Sequence, residues 1–373
     1  MKSNLLKLFS TLFFIVFILS PFYFWFDSSY SNLLLFKSVS LNLFGFILIY
    51  YPIRYFYKVE KTISFYEILR ILQVVFFIII FLSLFLTDID SLKIERGSIR
   101  NLNFFASLLI LHIPLVFISS LLFFYYNPKS KTFSLFLICL SLFISLYISY
   151  VEGRRTAALI PLAIVFFSIF YKYGLNFKNI FLSIVVISSV FYFITAQRVG
   201  SDLTVSIFDL IMDRILNPGH MSLKIFESSY DYNFNTSEMI VNRFESYFGI
   251  RENYYGIGNE FGRAFKIIEK DNFFVNINPG VINELFLSYS FFGFVFFLSF
   301  LGTWVGFIMK QISKSIPFGD FFVIIEFFHG LQMEVGYTIG SLAKMTLVVF
   351  LFNFIIYLLP KKSERKQIKQ LIS

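Results

Sequence analysis

Cysteine is almost missing from this chain. The one present, Cys139, sits inside an apolar run, so an intrachain disulfide and a cysteine-based metal site are both excluded. Histidine is nearly as scarce: His112, His220 and His329 are far apart, with no His-Glu-x-x-His pattern, and nothing in the sequence argues for a catalytic metal. Charge is sparse too, at 15% of 373 residues. Internal repeats and low-complexity linkers are not found. What fills the chain is apolar: 57% hydrophobic residues, with 56 Phe and 22 Tyr, and a mean hydropathy of +0.74. A soluble domain does not have this composition. The sequence is that of a polytopic membrane protein, all α-helical, because spanning helices satisfy their own backbone in lipid.

A span needs about 20 apolar residues. Ten such runs are expected, at about 5–26, 39–57, 66–87, 102–126, 132–151, 155–173, 178–196, 279–309, 317–336 and 341–359. The first has a basic start and no small-residue cleavage site, so it reads as an uncleaved span. The eighth is long enough for its first turns to project from the membrane. The ninth is interrupted by Glu326, His329, Gln332 and Glu334. Four regions follow: a bundle of seven spans over 1–196, a large loop over 197–278, a bundle of three spans over 279–359 and a basic tail over 360–373.

Lys and Arg in the short loops gather on one side. They include Lys2, Lys7, Arg54, Lys58 and Lys61, and the tail residues Lys361, Lys362, Arg365, Lys366 and Lys369. Positive loops stay in the cytoplasm, so both termini are expected inside and the large loop outside. The formal charge of +9 is therefore mainly topogenic, facing anionic lipid, and no nucleic-acid partner is expected.

Gln197 to Pro279 is the only long polar segment, and the chemistry is expected around it. Leu203, Ile207, Leu210, Ile211 and Ile215 share one helix face, and that helix is expected to end before the breaker Asn217-Pro218-Gly219. Thr236 or Ser237 can cap a second helix carrying Ile240, Val241, Phe244 and Phe248.

Several residues in and around this loop could carry chemistry. Gly153-Arg154-Arg155-Thr156 puts two guanidinium groups in a short outer loop, at the electropositive start of the next span. With the free helix N–H groups they make a phosphate site; the plainer alternatives are contact with lipid headgroups or an ion pair with Glu152. Arg198 follows the seventh span, and Arg214, Arg243, Arg251 and Arg263 lie in the loop among many carboxylates that could simply pair with them. Asn278 and Pro279 suit the cap and first position of the eighth span, which places Glu284 in its second turn as a general base, an orienter of arginine or an ordinary helix-start acid. His220, in the expected turn after Pro218, is a second possible proton acceptor, and Asp27 a third. Glu326 and His329 are ionisable at depth, where such groups are functional or pair with each other. Gly302-x-x-x-Gly306 reads as a helix-packing step, and Pro161 as a kink.

Pro279-Gly280-Val281-Ile282-Asn283-Glu284-Leu285-Phe286, followed by Tyr289, Phe292-Gly293-Phe294 and Gly302, resembles the segment after the large outer loop in O-antigen polymerases of the Wzy type. Gly153-Arg154-Arg155 resembles an arginine-bearing outer loop of that family, and Arg251 to Gly262 fits its Arg-x10-Gly spacing. The likeness covers about residues 150–310. It implies a GT-C-like fold, of the O-antigen ligase and polymerase type, in the bacterial cytoplasmic (inner) membrane. The implied activity is a metal-independent, inverting glycosyltransferase without cofactor, making O-antigen, capsule or exopolysaccharide. Donor and acceptor would both be oligosaccharides on undecaprenyl pyrophosphate. Arg154, Arg155, Arg198 and Arg251 would hold the pyrophosphate, with Arg214, Arg243, Arg263 and Asp27 as additional site residues. Glu284 or His220 would take the proton, and Tyr254, Tyr255 and Asn259 would cradle sugar. Membrane lipid and a polysaccharide chain-length regulator are the other partners implied. A flippase of lipid-linked oligosaccharide and an O-antigen ligase are the alternatives.

Overall fold

A computed structural model describes residues 2–27, 30–57, 131–152, 155–173, 176–199, 207–227, 279–315 and 319–358, with 238, 241–242 and 245 besides. Among the described residues every regular element is a helix and none is a strand. The elements are α1 (Lys2–Phe13), a π-helical segment (Phe14–Leu19), α2 (Ser20–Asp27), α3 (Asn32–Phe56), α4 (Lys131–Glu152), α5 (Arg155–Tyr173), α6 (Phe177–Val199), α7 (Ile207–Glu227), α8 (Val281–Ser288), α9 (Phe291–Ser315), α10 (Gly319–Gln332) and α11 (Val335–Leu358).

Four stretches of the described residues are long and apolar enough to cross a membrane: Leu5–Phe26, Asn32–Phe56, Phe291–Ser313 and Val335–Phe354. The protein is thus a multi-pass helical membrane protein. Helices α4, α5 and α6 form where the fifth, sixth and seventh spans are expected. The expected third and fourth spans lie outside the described residues.

The first span runs through α1, the π-helical segment and α2 as one rod. Pro21 explains the π-helical turn: its ring crowds the carbonyl of Phe17 four residues back, and widening the helix there relieves the clash.

In lipid, apolar burial gives little drive for one helix to join another, so close backbone approach and polar contacts must hold the bundle. Among the described residues the most extensive packing is α3 against α9. A methyl group on Gly302 would stand 2.5 Å from the Ile49 carbonyl oxygen, and one on Gly306 3.1 Å from the Ile53 Cα. The Gly-x-x-x-Gly step is a packing step, as its sequence indicates. Outward, Phe292, Phe350 and Tyr357 are exposed to the surrounding phase, as lipid-facing aromatics are.

Three sequence expectations are corrected here. The helix expected to stop before Asn217 continues through Pro218 to Glu227. Tertiary contacts outweigh the breaker: at Gly219 the helix meets Ser20 and Pro21 with no room for a side chain, and Met221, Ser222 and Leu223 are fully buried. The eighth span is not continuous, because Tyr289 is extended and separates α8 from α9. Its ring packs on Phe297 with centroids 4.6 Å apart and fixes the break. The helix at the expected ninth span, 317–336, is shorter than expected: 14 residues, roughly 21 Å at 1.5 Å per residue. It forms a hairpin with α11: Ser341 bonds Glu326 and Thr338 bonds the Gly330 carbonyl, so the two helices run antiparallel from the turn at Met333 and Glu334. Of the expected second loop helix, Glu238, Val241, Asn242 and Glu245 are described, and they are helical.

Candidate functional site

The region that bears the resemblance is built by four elements meeting at one end of the bundle: α3, α7, α8 and the turn between α10 and α11. Helix α8 opens on Gly280, whose φ of 80° only glycine adopts without strain. The cap is thus Gly280 and not Asn278, and helix α8 begins at Val281 beyond Pro279. The reason is space: a side chain at Gly280 would press on Pro218 and on the Leu331 carbonyl.

Asn283, fully buried in the first turn of α8, ties the elements together. Its Nδ2 donates to the carbonyls of Pro218 and Pro279, each at 2.8 Å. On the other side of α7, Asn42 of α3 donates to the Ser222 hydroxyl at 3.2 Å and to the Ser38 carbonyl at 3.1 Å. Ser222 is hydrogen-bonded to Ser38 as well and donates to the Gly219 carbonyl at 2.8 Å. Two buried asparagines thereby clamp α7 between α3 and α8. The carbonyl oxygens of Asn42 and Asn283 are buried with no partner among the described residues.

Glu284 lies in the first turn of α8, not the second, and is 1% exposed. Its Oε2 accepts the Val335 N–H at 2.7 Å. Val335 opens α11, and the first N–H groups of a helix have no partner within it. Glu284 therefore caps a neighbouring helix and pins the α10–α11 turn to α8.

His220 is carried on α7 rather than in a turn. Its ring stacks on Phe24 with centroids 4.3 Å apart, and Nε2 is 3.4 Å from the Tyr30 hydroxyl. Burial, and then the Lys224 ammonium, push its imidazole down to about 4, so it is neutral at pH 7, with one ring nitrogen carrying a proton and the other an acceptor. Burial and then Glu227 raise the Tyr30 phenol, which stays an O–H at neutral pH.

Glu284 and His220 are held by adjoining elements, but they face different neighbours. The Asn283–Pro218 bond lies one residue from Glu284 and two from His220. His220 looks toward Phe24 and Tyr30, and Glu284 toward Val335.

No family model, curated protein or solved structure matches this chain.

For the other site residues the structure gives backbone positions only. Arg155 starts α5, Arg198 lies in the last turn of α6, Arg214 is on α7 and Asp27 ends α2; their side chains lie outside what is described. Arg154, Arg243, Arg251, Arg263, Tyr254, Tyr255 and Asn259 are outside the described residues altogether.

Glu326 and His329 do not pair with each other. Glu326 accepts from Ser341 at 2.9 Å, and the His329 ring meets Tyr337 edge to face at 5.5 Å. Sequence reasoning missed Asn42, Asn283, Ser222 and the Tyr57–Asp320 hydrogen bond. An asparagine in the middle of an apolar span was the available signal for Asn42, since such groups are costly in lipid unless bonded.

Proposed function

We propose that this chain polymerises oligosaccharide repeat units carried on undecaprenyl pyrophosphate, as a metal-independent, inverting glycosyltransferase at the outer face of the bacterial cytoplasmic membrane. In this reading about ten spans with both termini inside form a GT-C-like bundle, and the loop over 197–278 covers the site from outside. The observation that carries the proposal is the seating of the Pro279–Glu284 segment, which bears the resemblance, against the helix that bears His220.

A hydroxyl oxygen of the acceptor sugar attacks the anomeric carbon of the donor. The new C–O bond forms as the bond from carbon to the pyrophosphate oxygen breaks, and that oxygen keeps the electron pair. Positive charge held in place must meet the departing anion. Arg154, Arg155, Arg198 and Arg251 supply it, because guanidinium groups bind phosphate oxygens in pairs of hydrogen bonds at any physiological pH. The hydroxyl proton passes to His220, which is neutral and not fully enclosed. Glu284, enclosed and occupied with Val335, holds the turn and is not the base.

The test is the length of glycan made in membranes from cells expressing the chain. Wild type gives a ladder of repeat units, and Arg155→Ala, with the protein still in the membrane, gives single units. A ladder of normal length in that variant removes Arg155 from the site. Transfer of single units onto lipid A core instead of a ladder points to a ligase, and movement of the lipid across the bilayer without new bonds to a flippase.

A further inference from the structure

Two nitrogens of the His220 ring could receive a proton, and a base works only if the right one faces its substrate. Among the described residues the ring has one hydrogen-bond contact, from Nε2 to the Tyr30 hydroxyl at 3.4 Å. Nδ1 has no partner among them. The contact is long for a resting protein, as contacts of catalytic groups often are before substrate binds.

Tyr30 is well placed to act on this ring. It stands between α2 and α3, one residue before Ser31, which caps α3 by accepting from the Leu34 N–H. Its own ring is half-buried against Phe24 and Leu223. Phe24 also stacks on His220 with the planes 13° apart, which fixes the tilt of the imidazole. The phenol then meets the imidazole edge to face, with centroids 6.5 Å apart. Stacking sets the plane of the ring, and Tyr30 sets which nitrogen carries the proton.

The contact has two forms. Either the phenol O–H donates to a bare Nε2, or Nε2–H donates to the phenol oxygen. The charges on α7 separate them. Lys224 and Glu227 follow His220 by four and seven residues, so all three share one face of the helix. Lys224, one turn away, opposes a second proton on the ring whichever nitrogen holds the first. Glu227, two turns away, acts on the Tyr30 phenol. A carboxylate draws the phenol hydrogen to its own side, and the oxygen lone pairs are left for Nε2–H. Lys37 of α3 lies instead over the Phe226 ring, about 120° round α7 from His220 at 100° per residue.

We infer that Tyr30 is a positioning residue for His220: its oxygen accepts the Nε2–H, so that Nδ1 is the nitrogen offered to the acceptor sugar. This role in turnover rests on His220 being the proton acceptor, as proposed above. As the new C–O bond forms, the O–H bond of the acceptor hydroxyl breaks and its proton goes to Nδ1. The imidazolium keeps its Nε2–H on the Tyr30 oxygen, and Tyr30 itself neither gains nor loses a proton.

The experiment uses the full chain in detergent at pH 7, with ¹⁵N in the histidine rings. The His220 signals are those missing from His220→Gln. The expected wild-type spectrum has a protonated Nε2 and a bare Nδ1. In Tyr30→Phe, which keeps the ring and loses the oxygen, both signals move toward the averages of mixed tautomers. Glu227→Gln, at an exposed position, moves them in the same direction. In the liposome polymerisation assay Tyr30→Phe lowers kcat by roughly 2–10-fold, the worth of one neutral hydrogen bond, and leaves KM unchanged. A wild-type spectrum with the proton on Nδ1 overturns the inference, and so do unchanged ring signals in a folded Tyr30→Phe. If Tyr30→Phe does not fold, unchanged signals in Glu227→Gln overturn it. A wild-type kcat in Tyr30→Phe, with His220→Gln slow, overturns it while His220 remains the base. Full-rate polymerisation by His220→Gln removes the base itself, and the role of Tyr30 in turnover with it.

Discussion

His220 and Glu284 are one residue type apart in what they can do, and their surroundings separate them. In the fold His220 holds a proton only below about 4, against about 6.5 for a free histidine. Between those values the unfolded chain binds the extra proton and the folded one does not. Stability is therefore unaffected above about pH 6.5 and falls as pH drops toward 4. His220→Gln removes that part of the pH dependence, which thermal melts in detergent at pH 7 and pH 5 detect. If His220 also takes the acceptor proton, the same variant slows polymerisation about 10²–10⁴-fold, the usual worth of a general base. Glu284 gives a different pattern. Glu284→Gln keeps an oxygen for the Val335 N–H and should retain both stability and polymer formation. Glu284→Ala leaves that N–H unpaired and should cost about 1–3 kcal/mol, read as a lowered melting temperature. Loss of activity in the glutamine variant with stability unchanged would make Glu284 the base after all.

Helix packing sets the next scale. Gly302→Val places branched carbon against the Ile49 carbonyl, and the α3–α9 contact must open. About 1–3 kcal/mol is expected, the cost of overpacking a tight interface, seen as a lower melting temperature and weaker retention of the folded form in detergent. The Gly-x-x-x-Gly step was legible because small residues one turn apart have one main use between apolar helices. Helix positions were legible for the same kind of reason: 132–151 was expected and Lys131–Glu152 is observed. The continuation of α7 through Pro218 was not legible, since local chemistry favours a stop there and only contacts from α2, α3 and α8 reverse it. Nor was the break at Tyr289, which falls in a Phe-rich run with neither proline nor glycine at the break. Hydropathy cannot sense it. The hairpin partners Glu326–Ser341 and Gly330–Thr338 are 15 and 8 residues apart, and no helix periodicity pairs them.

At the scale of the whole molecule the sequence spoke most clearly about class and least about the site. A composition so apolar leaves only a membrane bundle, and the described residues are helical, with four membrane-length helices. The proposed site draws on arginines spread from 154 to 251, and no local pattern brings such distant residues together; only the fold can. The reaction proposed for this chain is the joining of lipid-linked repeat units outside the membrane. Purified protein in liposomes, given a lipid-linked repeat unit on the outer leaflet only and no metal ion, tests it most directly. The expected result is a ladder of products rising by one repeat unit, each still on the lipid. Product that never exceeds a single repeat unit, from protein that is folded and correctly inserted, would contradict it.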